Sequence, residues 1–315
     1  MTCITEHTVD DLMRVSLGML IESGEPIAPR RGPALELRGV RLELTNPMAR
    51  LSRSRGRGKV FSCLGEFVWY LSGSADVEHV AHYIRRYTDE AEPDGTVHAA
   101  YGTRLFGEGQ RLESLIQALA DRTDSRQAVI QLLEPGDQSG YRHVPCTCTL
   151  QFLKREGTVD MVVFMRSNDA YLGLPHDVFA FTMLQEIAAR SVGAELGTYV
   201  HMIGSLHLYD RDREKAAEFL DEGWSSVTAM PAMPPGDPRP ALARLVKLEA
   251  EIRAGVPVDV STFDDPYWAD LTRLLAVHAL ARRNADPETI ATLRREMHSR
   301  VYDVFLNDRF DILED

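Results

Sequence analysis

Apolar residues recur at helical spacing near the start of the chain. Leu12, Val15, Met19 and Leu20 predict an amphipathic helix over residues 8–22, with Gly18 as its weakest point. Residues 34–44, ALELRGVRLEL, largely alternate apolar and polar, the two-residue period of a half-buried strand. Residues 111–120 and 177–193 return to the helical pattern, whereas 128–134, 149–154, 159–166 and 199–208 read as strands. Interspersed strands and helices, with several strands in succession, predict an α+β layered sheet with surrounding helices.

The pattern changes near residue 230. The segment MPAMPPGDPRP is proline-rich and reads as a linker, and three helical segments follow it. Asp265-Pro266 and Asp286-Pro287 each place an acid at a helix cap with proline in the first turn. Ile290, Leu293, Met297, Val301 and Val304 then keep helical spacing. The expectation is a main domain over residues 1–230 and a helical C-terminal extension over 237–315.

Composition narrows the function classes. A 44% hydrophobic content supports a real core. A net charge of −12 argues against a general nucleic-acid binder, without excluding a small anionic ligand held by local arginines. No apolar run is long enough to span a membrane, and the N-terminal stretch lacks the apolar core of a signal peptide. The cysteines Cys3, Cys63, Cys146 and Cys148 form neither a metal-type pair of motifs nor a disulfide framework. A cytoplasmic protein without a metal is expected, in which a cysteine is free to act as a nucleophile.

Two features are open to more than one reading. The basic loop RLSRSRGRGK at 50–59 is either a solvated loop or a grip for anions. Glu66 lies inside the apolar, aromatic run from Phe61 to Leu71; it is either on a helix surface or buried with a partner at a site.

Chemistry concentrates in 145–209. The segment opens with Pro-Cys-Thr-Cys-Thr-Leu-Gln-Phe, continues with Arg-Ser-Asn-Asp-Ala-Tyr-Leu-Gly-Leu-Pro-His-Asp and closes with His-Leu-Tyr. In order and spacing it resembles the thymidylate synthase family, whose pattern runs Pro-Cys-His to Gln-Phe, Arg-Ser-x-Asp-x-x-Leu-Gly-x-Pro-Phe-Asn, and His-x-Tyr. GEFVWYLSGSADV at 65–77, Tyr101-Gly102 and Asp124-Ser125-Arg126 extend the resemblance over about residues 8–225.

The resemblance implies a nucleophile at Cys146, which adds to C6 of a pyrimidine and turns C5 into an enamine-like carbon. Only a partly ionised thiol does this well near neutral pH, and neighbouring arginines are expected to lower its pKa. On its own, Cys146 reads first as an inert buried cysteine, and the motif block around it is what makes it a nucleophile. Cys148 has no counterpart role and reads as structural, sharing a face with Cys146 if the strand is regular.

By the same resemblance, Arg166, Ser167 and Arg126 hold phosphate, with Arg126 donated across a homodimer interface. Arg30 or Arg31 matches a further phosphate arginine. Gln151, in the Gln-Phe element, falls among the substrate-binding positions. His207 and Tyr209 match residues bonding the sugar hydroxyl, and Glu66 and Tyr101 match residues that manage protons. Asp169 matches a folate contact, and Tyr87 aligns with a family tryptophan beside the folate, with Glu90 in place of a second. The implied co-substrate is 5,10-methylenetetrahydrofolate.

Departures from the family pattern point to a particular reaction. The family has asparagine where this chain has Asp177; its amide both donates to uracil O4 and accepts from uracil N3–H. Cytosine offers an amino donor and no N3 proton. A carboxyl suits it, as in the branch of the family that hydroxymethylates CMP or dCMP. Polar Tyr87 and Glu90 would admit water to the methylene and give a hydroxymethyl product. Thr147 replaces the family histidine, Gln127 replaces a second arginine, and ILED at the terminus does not match the family's tail. A methylating synthase acting on dUMP or dCMP, and a nucleotide-binding protein without catalysis, are the alternatives.

Overall fold

The structure is a computed structural model and describes residues 2–107, 109–224, 226–259 and 263–306. The C-terminal ILED lies outside the described residues. Among the described residues seven strands form one sheet: β1 (Thr2–Glu6), β2 (Glu25–Ile27), β3 (Ala34–Leu44), β4 (Val129–Gln131), β5 (Thr147–Arg155), β6 (Thr158–Asp169) and β7 (Glu195–Tyr209). Their order is β1-β3-β7-β6-β5-β4, with β2 also on β3. Hairpin geometry keeps β5 and β6 antiparallel, whereas β6 and β7 run parallel and need a crossover. That crossover is α6 (Leu174–Ser191).

The remaining helices among the described residues are α1 (Val9–Ser23), α2 (Val60–Leu71), α3 (Val77–Ala81), α4 (Tyr101–Phe106), α5 (Arg111–Asp121), α7 (Arg213–Asp221), α8 (Arg239–Ala254), α9 (Pro266–Arg282), α10 (Pro287–Arg295) and α11 (Asp303–Leu306). The α+β architecture expected from the sequence is the one observed. Thr8 caps α1 by accepting from Asp11 N–H at 3.1 Å, and Leu12, Met13, Leu17 and Leu20 bury its apolar stripe. Asp265 and Asp286 cap α9 and α10 with their side chains, and proline occupies each first turn.

α2 is buried from Val60 to Tyr70, so it presents no solvent-facing side over that span. α6 packs against it on one side and α8 and α9 on another. The residues of α8 and α9 belong to the same hydrophobic core as the sheet. Polar ties join α8 to α3 and the segment after it: Tyr83 donates to Glu249 Oε1 at 2.9 Å, and His79 lies 3.2 Å from Glu249 Oε2.

Three segments depart from the sequence reading. The basic loop 50–59 is neither fully solvated nor open to anions along its length, because Arg50 and Arg57 are buried. Arg50 pairs with Glu186 of α6 at 2.7 Å, and Arg57 donates to Leu172 O at 3.0 Å. The proline-rich stretch after 230 has no regular structure, yet Met230 and Met233 are buried and Met233 N–H donates to Glu186 Oε1 at 2.7 Å. The helical spacing from Ile290 to Val304 is interrupted after Arg295. Buried Asp270 of α9 accepts from His298 N–H and Ser299 N–H at 3.0 and 2.8 Å, and Ser299 starts a new turn.

Arg50 Nε and Nη1 have no partner among the described residues, so its charge depends on Glu186. Removing one member of a buried ion pair leaves the other uncompensated. Glu186→Ala is therefore expected to destabilise the protein by about 3–5 kcal/mol, read as a shift in the denaturant midpoint.

Candidate active site

Strand pairing gathers the chemistry at one end of the sheet. Thr147 opens β5 opposite Met165, while Ser167 and Asp169 on β6 face Ser205 and His207 on β7. Tyr209 pairs with Ala34 at the start of β3, so the chain carrying Arg30 and Arg31 reaches the same end.

Cys146 sits just before β5, where its carbonyl accepts from Arg166 N–H at 2.9 Å. The Arg166 guanidinium donates to Pro145 O and Val144 O at 3.0 and 2.9 Å, and Nη2 lies 3.7 Å from Cys146 Sγ. It braces the loop and faces the sulfur at once. Burial nonetheless pushes the Cys146 thiol up to about 11, against the pull of Arg166 and Arg31 and with the help of Asp177 and Glu90. The expected depression by arginines is present as a component, but burial outweighs it. The register shifts between Thr147 and Thr149, so the regular strand that would put Cys148 on the face of Cys146 is broken there.

Thr147 ties the cysteine loop to α4. Its N–H and hydroxyl both donate to Tyr101 Oη, at 3.0 and 2.9 Å. Burial raises the Tyr101 hydroxyl well above the usual phenol range, reinforced by the charges of Cys146 and Asp177. Tyr101 packs on Tyr70 with ring centres 5.4 Å apart. Tyr70 in turn donates to Glu66 Oε1 at 3.1 Å from one helical turn away. Glu66 is buried, and Tyr87 donates to the same oxygen at 2.5 Å. Tyr87 therefore bonds the Glu66 carboxyl while packing edgewise on Trp69 at 5.4 Å.

Asp177 stands in the first turn of α6. Asn168 Nδ2 donates to its Oδ2 at 2.7 Å. Burial, with the Glu66 charge behind it, pushes the Asp177 carboxyl well above the usual range; the Asn168 bond pulls the other way. Gly173 permits this approach, since a Cβ there would lie 3.2 Å from Asn168 Nδ2 and 3.5 Å from Asp177 Oδ2. Asp169 Oδ1 accepts from Tyr171 N–H and Leu172 N–H, both at 2.9 Å, and so shapes the turn into α6.

Arg31 pairs with Glu90 at 2.7 Å, and its charge acts on Cys146 and Tyr209. Neighbouring Arg30 donates to Arg142 O at 2.8 Å. Glu90 also bonds His143; burial works to raise its carboxyl, but His143, Arg31 and Arg86 hold it below the usual range. His207 packs against Tyr209 with ring centres 4.8 Å apart. Two expected residues are not brought to this end within the chain. Gln151 lies roughly 16 Å along β5 from Cys146 by strand rise. It donates to Arg126 O at 3.1 Å, and Arg126 is exposed.

Sequence reasoning missed Asn168, His143 and Arg86. Arg86 precedes Tyr87, and its charge acts on Asp177. Asn168 fills the variable place of Arg-Ser-x-Asp, where a motif carries no signal. His176 was visible in place of the family phenylalanine; it sits 3.3 Å from Arg57 Nη2 and 3.0 Å from Ser62 Oγ, and burial holds its pKa well below the usual histidine value. Among the described residues no cluster of histidine, cysteine and carboxylate side chains could hold a metal ion, and no helix is long and apolar enough to cross a membrane.

Fold and cluster together place the chain among mixed-sheet proteins with a cysteine just before a strand that lies next to the sheet's end strand. A model of the thymidylate synthase family matches residues 41–233, more than half of the chain, and the chain belongs to that family. Among curated proteins it is similar to a deoxyuridylate hydroxymethyltransferase of Bacillus phage SP01, at 28% identity over 210 residues. That alignment covers 61% of this chain and 55% of the phage protein, so the chain spans about half the length of the curated relative it matches.

Proposed function

We propose that the protein transfers a one-carbon unit from 5,10-methylenetetrahydrofolate to C5 of a cytidine monophosphate and releases a 5-hydroxymethyl nucleotide and tetrahydrofolate. The observation that carries this reading is Asp177, a carboxyl in the position of the family's asparagine, whose charge acts on the Cys146 thiol.

In this reading the Cys146 thiolate adds to C6, and the electron pair displaced from the ring is taken up at N3 with a proton from Asp177. C5 would then attack the folate methylene and lose its hydrogen as a proton, a transfer that Glu66 and Tyr101 would manage through water; the methylene–nitrogen bond to folate would break, releasing tetrahydrofolate and leaving an exocyclic methylene on C5. Water adds to the exocyclic methylene as thiolate leaves C6. The sum is nucleotide plus methylenetetrahydrofolate plus water, giving hydroxymethyl nucleotide plus tetrahydrofolate. The Tyr87 hydroxyl on Glu66 supports a polar, water-admitting pocket.

Arg166, Ser167 and Arg31 or Arg30 would hold the phosphate. His207 and Tyr209 would hold the sugar, and Asp169 the folate. A homodimer is part of the proposal. Met161, Val163 and Met165 of β6 are buried, whereas the alternate positions Val162, Phe164 and Arg166 lie half-buried or exposed on the other face. Phe164 is 43% exposed and Val129 47%, an apolar face suited to a second copy that would contribute Arg126. The main domain and helical extension are kept as proposed units, and a cytoplasmic location as an expectation of the reaction.

The phage relative, called a deoxyuridylate hydroxymethyltransferase, favours one second reading, hydroxymethylation of dUMP. Mass spectrometry of products from CMP, dCMP, UMP and dUMP, each with methylenetetrahydrofolate, separates the two. A cytidine product heavier by formaldehyde is expected. The same gain on a uridine nucleotide alone supports the second reading, and a gain of only a methylene unit refutes hydroxymethylation.

A further inference from the structure

We infer that Asn168 is a specificity-determining residue: its side-chain amide fixes which oxygen of Asp177 accepts and which donates, and thereby the base the pocket takes. This rests on the proposed reading that Asp177 meets the base.

A neutral carboxyl has one donor and one acceptor oxygen and can present them in either order. Cytosine offers a 4-amino donor beside an N3 acceptor. Uracil offers the reverse, a 4-oxo acceptor beside an N3–H donor. An acid free to choose its protonated oxygen would therefore serve both bases.

Asn168 removes that choice. Its Nδ2 donates to Asp177 Oδ2 at 2.7 Å, which requires a lone pair there and favours the carbonyl form of that oxygen. The acid's proton then sits on Oδ1, to which no described residue donates. With Oδ2 set opposite the 4-amino group and Oδ1 opposite N3, the pair complements cytosine and opposes uracil.

The amide itself is held for this purpose. Asn168 is buried at 3% exposure, and its Oδ1 has no partner among the described residues. Turning the amide over would leave a buried NH2 unpaired instead, the costlier orphan. Gly173 closes against both side chains, so a larger residue there would push the pair apart.

The experiment measures kcat/KM for each cytidine and uridine monophosphate with methylenetetrahydrofolate, in wild type, Asn168→Ala, Asn168→Ser and Gly173→Ala. The cytidine-to-uridine ratio is expected to fall by about tenfold or more in Asn168→Ala. Serine, which keeps a donor, should retain more of the ratio than alanine. Gly173→Ala should lower it without touching Asn168 chemically. The midpoint of thermal unfolding serves as the control for a merely structural role. A wild-type ratio kept by both Asn168→Ala and Gly173→Ala overturns the inference while the cytidine reading stands. A wild type that prefers uridine overturns the reading itself.

Discussion

Cys146→Ser is expected to lower C5 hydrogen exchange on a cytidine monophosphate by on the order of 10⁴-fold or more, with nucleotide binding little changed. Addition to C6 needs an ionised nucleophile, and a serine hydroxyl ionises far above any working pH. The environment of Cys146 sharpens the test. Burial holds the thiol up to about 11, so the neutral form dominates in the free protein near neutrality. Each unit rise in pH below that value should raise the thiolate fraction, and with it the rate of alkylation by iodoacetamide, about tenfold. Arg166 lowers the thiol pKa, so Arg166→Ala should slow alkylation at any fixed pH below about 11. Alkylation that is fast and flat between pH 6 and 9 would contradict the raised thiol pKa, and a serine variant that still exchanges C5 hydrogen would remove Cys146 from the reaction.

The elements legible in the sequence are those whose environment repeats with a simple period. Residues 34–44 read as a strand because β3 buries alternate side chains from Val40 to Leu44, and Asp265 and Asp286 announce helices because capping is a local bond. α2 is buried from Val60 to Tyr70, which left the place of Glu66 open until Tyr70 and Tyr87 were seen to bond it. Neither reading of the basic loop placed Arg50 in the interior, because charge seldom lies there and its partner Glu186 is 136 positions away. Of the candidate site, Cys146, Tyr101, Asp177 and Glu66 could be named from motif order, and the structure sets them within electrostatic reach of one another: the charges of Cys146 and Asp177 act on Tyr101, and that of Glu66 acts on Asp177. The thiol's pKa was not legible, because it depends on burial and on groups distant in sequence, among them Arg31, Glu90 and Asp177. Asn168 was not legible either; its importance exists only through the atom it touches.

The same pair sets the outcome for Asp177→Asn, the second large effect. An amide at 177 keeps an acceptor for Asn168 and, held in that order, still offers a donor towards N3. It cannot give that donor up as a proton. Thiolate addition to cytosine drives electrons to N3, so losing the proton should lower kcat by about 10²–10⁴-fold, the usual range for a lost general acid. Cytidine monophosphate binding should change much less than kcat. With Asn168 in place the variant should gain little uridine turnover, because the amide is held with its donor where uracil also presents one. Asn168→Ala combined with Asp177→Asn frees the amide to turn over, and the double variant should accept uridine nucleotides better than either single one. Measured kcat and dissociation constants for both bases across these variants decide the matter. If Asp177→Asn alone switches the enzyme fully to uridine, residue 177 selects the base without Asn168. If the single variant keeps cytidine turnover, Asp177 does not supply the proton.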